Sequence, residues 1–145
     1  MAALTFAGAI LRVIGIDSGL WLDEIKSLID SVRLPRPEIL TVYPSNKQHQ
    51  LCSVLAHLSM AVFGEHPWSL RFPAILIGLA SISLAQLVDV LFTKRTEALL
   101  ASALLRFSYH HIWFSQNARG YTTLAFWTLL ATYLLIRMLT DRDLR

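Results

Sequence analysis

Six consecutive residues, Gly19-Leu20-Trp21-Leu22-Asp23-Glu24, place two adjacent carboxylates directly behind a tryptophan, where a first apolar segment stops. A carboxylate at an apolar-aqueous boundary can take the proton of a hydroxyl group as that hydroxyl attacks an electrophile. Further along the chain come His49, Arg71 and Arg119. Arginine offers a planar fork of N–H donors that matches phosphate oxygens, and histidine is a donor that switches near neutral pH. Together these residue types could hold a lipid-linked phosphate while a carboxylate deprotonates an acceptor. Each also has a plainer reading. Asp and Glu favour the first turn of a helix through the macrodipole, and arginines near membrane boundaries snorkel toward water.

The elements that must position these groups are helices in a membrane. The 145 residues are 54% hydrophobic and 16% charged, with a mean hydropathy of +0.50, whereas soluble domains are roughly 25% charged. The net charge of +3 is spread evenly, which speaks against nucleic acid and fits headgroups and phosphates. One cysteine, Cys52, excludes an internal disulfide. The length allows one domain at most.

Apolar runs predict an all-α, polytopic membrane helix bundle, with spans at about 1–16, 72–92, 97–114 and 121–138 and an outer loop over about 17–71. The first run is short for a span and contains Arg12. Within the loop, Trp21, Ile25, Leu28, Ile29 and Val32 share one helical face, with Asp23 opposite and Glu24 at the edge. This predicts an interfacial helix with tryptophan at headgroup depth and its acids toward water. Leu51, Val54, Leu55, Leu58 and Val62 mark a second helix too short to cross. Tyr43-Pro44-Ser45-Asn46 reads as a turn. With that parity, Asp23, Glu24, His49, Arg71 and the turn at 115–120 share the outer face, while Lys94, Arg95, Arg137, Arg142 and Arg145 lie inside. Arg106, near the middle of its run, must face protein or a cavity, because a charge there costs ~2.5 kcal/mol or more. No acid stands at an obviously matching depth, and Asp89 belongs near its own helix end.

Four stretches, in order, carry a resemblance: Leu20-Trp21-Leu22-Asp23-Glu24; Asn46-Lys47-Gln48-His49-Gln50-Leu51; Phe63-Gly64-Glu65-His66-Pro67-Trp68-Ser69-Leu70-Arg71-Phe72-Pro73-Ala74; and His111-Ile112-Trp113-Phe114-Ser115-Gln116-Asn117-Ala118-Arg119-Gly120-Tyr121. They resemble the N-terminal part of GT-C membrane glycosyltransferases, specifically the dolichyl-phosphate-mannose protein mannosyltransferase-like enzymes of glycosyltransferase family 39 and their bacterial relatives. The resemblance implies an inverting transfer of sugar from a polyprenyl-phosphate donor to a hydroxyl of a protein, lipid or glycan acceptor, at the non-cytoplasmic face of the plasma membrane. By the same resemblance Asp23 matches the catalytic base and Glu24 its partner, which positions acceptor or base, or holds a divalent metal where one is used. His49, Arg71, Arg119 and Tyr121 match substrate-binding positions. The chain departs from the family at Gln48-His49-Gln50-Leu51, Ser108-Tyr109-His110-His111, Asn117 and Arg106, and is far shorter than such enzymes, so it is expected to be an N-terminal piece, inactive alone. The competing expectation is a non-enzymatic membrane subunit or a transporter fragment, whose acids and arginines line a path or cap helices.

Overall fold

The computed structural model describes residues 2–42 and 49–142, all of whose regular elements are helices. They are α1 (Ala2–Val13), α2 (Leu22–Ser27), which runs on through a π-helical turn (Leu28–Val32), α3 (Arg36–Thr41), α4 (Gln50–Phe63), α5 (Pro67–Asp89), α6 (Arg95–Phe107), α7 (Tyr109–Ser115) and α8 (Tyr121–Arg142). The expected turn at 43–46, Lys47 and Arg145 lie outside the described residues.

The bundle is built on α5, which packs against α1, α4, α6, α7 and α8. Small residues make those approaches possible: Ala74, Gly78, Ser81 and Ala85 are all buried along α5. Proline at its first position has the φ a helix start needs. Pro73, inside the helix, has no N–H to give the carbonyl of Ser69. The Ser59 hydroxyl of α4 donates to that carbonyl instead, at 2.6 Å, so the defect in one helix becomes a tie to its neighbour.

Two helices, Pro67–Asp89 and Tyr121–Thr140, are long and apolar enough to cross a membrane. The fold is a helical membrane bundle. Leu124, Trp127, Leu134, Leu135, Met138 and Leu139 leave α8 with an exposed apolar flank, the surface lipid would cover. The helix α4, Gln50–Phe63, is apolar but shorter than those two.

Three expectations are corrected in detail. The helix expected over 72–92 begins earlier, at Pro67. The run expected as one helix over 97–114 breaks at Ser108, whose backbone turns extended (φ −61°, ψ 123°) and whose hydroxyl accepts from the His111 N–H at 3.5 Å, opening α7. And the acids do not both face water. Leu28 and Val32 turn inward onto Ala56 and Leu70, and Glu24 turns in with them, because inward and outward faces are set by where α4 and α5 press and not by the apolar stripe alone.

Candidate active site

Asp23 and Glu24 are neighbours with opposite environments. The Glu24 side chain is 0% exposed, that of Asp23 57%. Glu24 accepts four hydrogen bonds: from the Trp21 backbone N–H (3.0 Å), the Ala118 backbone N–H (2.9 Å), and Arg71 through Nε (2.9 Å) and a terminal nitrogen (2.6 Å). Those four donors fill both oxygens. Arg71 is equally committed. Beyond Glu24, its terminal nitrogens donate to the carbonyls of Ile16 (2.6 Å), Ser18 (2.9 Å) and Gly19 (3.1 Å), using all five N–H groups. The pair therefore clamps four pieces of chain together: the end of the first helix segment, the start of α2, the top of α5 and the turn before α8. A buried charge requires this kind of full compensation.

Asp23, by contrast, keeps one carboxylate oxygen on Arg119 at 2.7 Å and the rest of its surface in solvent. The Arg119 guanidinium lies over the Tyr121 ring, 5.7 Å from its centroid, and its buried Nε has no partner among the described residues. The His49 ring stands 6.3 Å from Tyr121 and directly on Gly120. A Cβ at position 120 would come within 2.5 Å of the imidazole, so glycine there is a steric requirement. Burial, and then the charge of Arg119, pull the His49 pKa below its usual range, so the ring is neutral near pH 7. Asp23, Arg119, Tyr121 and His49 thus form one group; Glu24 and Arg71 form a second, beneath it.

A metal does not fit Glu24. Its oxygens hold four N–H donors and sit against a guanidinium, leaving no free lone pair for a cation. No cluster of three His, Cys, Asp or Glu occurs among the described residues.

Deeper in the bundle lies a polar network that the residue pattern did not announce. Arg12, fully buried, donates to the Ser115 hydroxyl (3.2 Å), the carbonyls of Gly8 (2.8 Å) and Arg106 (3.3 Å), and Nδ1 of His111 (2.8 Å). A guanidinium only donates, so His111 Nδ1 is an acceptor and Nε2 carries the proton toward the Ser81 hydroxyl at 3.2 Å. Arg106 is 1% exposed and lies against Gly8, so it faces protein, yet its Nε and one terminal nitrogen have no partner among the described residues.

The model of the family described as dolichyl-phosphate-mannose-protein mannosyltransferase matches residues 50–145. The chain belongs to this family. No curated protein and no solved structure matches the chain. For a member of the mannosyltransferase family, the implied activity is glycosyl transfer from a polyprenyl-phosphate sugar donor in a membrane setting. Arg71, Arg119 and Tyr121 fall inside the matched stretch, while Asp23, Glu24 and His49 precede it. The clamp and the Asp23–Arg119 contact join those two parts of the family member in space.

Proposed function

We propose that the protein, as the N-terminal piece of a longer enzyme, takes part in transferring a sugar from a polyprenyl-phosphate donor to a hydroxyl acceptor at the outer membrane face, with inversion and with Asp23 as the base. The acceptor oxygen attacks the anomeric carbon, the bond from that carbon to the phosphate breaks with its electron pair leaving on phosphate, and the acceptor proton passes to the Asp23 carboxylate. A single displacement of this kind inverts the anomeric centre. The observation that carries the reading is the contrast between two adjacent acids: Glu24 is buried with every lone pair used, while Asp23 is accessible and oriented by one arginine. Arg119, beside Asp23, and neutral His49 are the groups that would meet donor oxygens. Tyr121 backs Arg119. Arg71 and Glu24 act as positioning residues, since their polar atoms are spent on each other and on backbone.

The test is sugar transfer from a polyprenyl-phosphate donor in proteoliposomes, with donor affinity followed in parallel. Asp23→Asn keeps shape but cannot take a proton, so turnover falls by about 10² to 10⁴ while donor binding persists. Near-normal transfer by this variant removes Asp23 as the base, whereas absence of transfer by the wild type favours the reading as a non-enzymatic membrane subunit. Cysteine labelling of positions 23 and 121, both exposed, from the same side of the membrane supports the outer-face assembly; labelling from opposite sides dismantles it.

A further inference from the structure

Where α4 ends and α5 begins, a recess of about 310 Å³ opens toward the π-helical turn that follows α2. Leu20, Leu28, Met60 and Leu70 give it an apolar floor continuous with the core beneath, and Arg33 and Glu65 stand at its rim. None of these residues belongs to the groups around Asp23 or Glu24. Arg33 and Glu65 form an ion pair whose side chains are 55% and 52% exposed. Both contacts fall on one oxygen: Arg33 reaches Glu65 Oε1 through Nε and through Nη2. Glu65 Oε2 and Arg33 Nη1 make no hydrogen bond among the described residues. The rim thus offers a charged acceptor and a charged donor side by side above an apolar floor. Aromatic rings flank it. Phe63 packs on Trp68 (centroids 5.4 Å) and on Phe72 (5.5 Å), and the His66 ring stacks over Trp68 at 7°. These rings surround the start of α5, a helix long enough to cross a membrane, and tryptophan among charged residues at such a helix end is the composition of the membrane–water interface.

The choice of ligand follows from what each candidate brings to the rim. An anion alone, such as a sugar-linked polyprenyl phosphate, meets Arg33 but carries its charge up against Glu65, and a simple cation does the reverse. A zwitterion answers both groups and leaves the ion pair intact. The floor asks in addition for an alkyl body, and the unbranched Met60 side chain can adjust to one. A phospholipid with a primary amine in its headgroup has all three parts, and it is present wherever the surrounding aromatic rings meet the bilayer. We infer that this recess binds phosphatidylethanolamine, with an acyl chain on Leu20, Leu28, Met60 and Leu70, the phosphate at Arg33 and the ammonium N–H groups on Glu65. Glu65 sets the selectivity, because the quaternary nitrogen of phosphatidylcholine has no N–H to donate and phosphatidylglycerol has no cation. The site does not rest on the glycosyl-transfer reading.

The test titrates the purified protein in detergent with phosphatidylethanolamine, phosphatidylcholine and phosphatidylglycerol of one acyl composition and counts bound lipid by native mass spectrometry. The wild type holds phosphatidylethanolamine about tenfold more tightly than either of the others, the worth of one charge-assisted hydrogen bond. Glu65→Gln removes the partner of the ammonium and frees Arg33, so phosphatidylethanolamine loses about tenfold while phosphatidylglycerol gains. Arg33→Gln weakens phosphatidylethanolamine by a similar factor. Both positions are half-exposed, so neither variant threatens the fold. Leu20→Trp, which fills the floor, weakens all three lipids with the rim charges in place. A wild type that does not distinguish phosphatidylethanolamine from phosphatidylcholine, a preference that survives Glu65→Gln, or affinities unchanged by Arg33→Gln or by Leu20→Trp overturns the site. Sugar transfer plays no part in the readout, so the site stands or falls separately from Asp23 as the base.

Discussion

Replacing Glu24 by glutamine decides whether this carboxylate is scaffold or chemistry. Glutamine keeps the volume, but its amide oxygen can satisfy only part of the four N–H donors now on Glu24, and its NH₂ points a donor at another donor. Arg71, 2% exposed, is then a buried cation without a counter-charge. Removing one partner of a buried ion pair costs about 3–5 kcal/mol, a large share of a total stability of about 5–15 kcal/mol. Arg71→Leu should cost a similar amount, since it strands Glu24 on two backbone N–H groups. The double variant Glu24→Leu with Arg71→Leu should recover much of the loss, because apolar replacement of both members of a buried pair is often close to neutral. Thermal unfolding of the purified protein in detergent, with no donor present, measures all three. The reasoning is refuted by single variants that unfold at the wild-type temperature yet have lost sugar transfer, which would place Glu24 in the chemistry.

Gly120→Ala should lower both transfer and the unfolding temperature, because the new Cβ meets the His49 ring at 2.5 Å and its Cβ at 3.0 Å, close to the root of that side chain; if His49→Ala does not relieve most of the loss, the contact is not the cause. His49 titrates lower in the folded chain than in the unfolded, so folding releases protons and stability from this residue is lost as pH falls below about 6.5. Unfolding midpoints of the wild type and His49→Asn should therefore run parallel above that pH and diverge below it, with the wild type falling more; divergence at pH 8 contradicts the assignment. Arg106→Met should hold or raise the unfolding temperature, because it removes buried N–H groups that have no partner among the described residues; a fall of many degrees would show that the guanidinium has a counterpart beyond them.

The family and the class of fold were legible in residue types and their order. Long apolar runs bounded by charges give membrane helices whatever their neighbours, because a backbone in hydrocarbon must satisfy its own hydrogen bonds. Thus α8 begins at Tyr121, where its apolar run does, and Arg106 is buried against protein. The break at Ser108 had a local signal, a good capping residue, that the continuous apolar pattern outweighed. The Arg12–His111–Ser81 network had only a weak one, polar residues at isolated places in three apolar runs.

The sequence by itself determined that two acids, a histidine and two arginines, Arg71 and Arg119, stand in the stretches that carry the likeness to mannosyltransferases. Only the tertiary structure decided which of them are free to act. Asp23 and Glu24 differ by one residue and by about 100° around a helix, and no pattern along the chain says which direction α5 will occupy. Once Arg71 arrives from α5 and the Ala118 N–H from the turn before α8, desolvation requires that one carboxylate be fully paired, and the other is left to solvent and Arg119. Residue type sets what a side chain can do, and long-range packing sets which polar atoms remain unspent, since a hydrogen-bond donor or lone pair used by the scaffold is no longer available to a substrate.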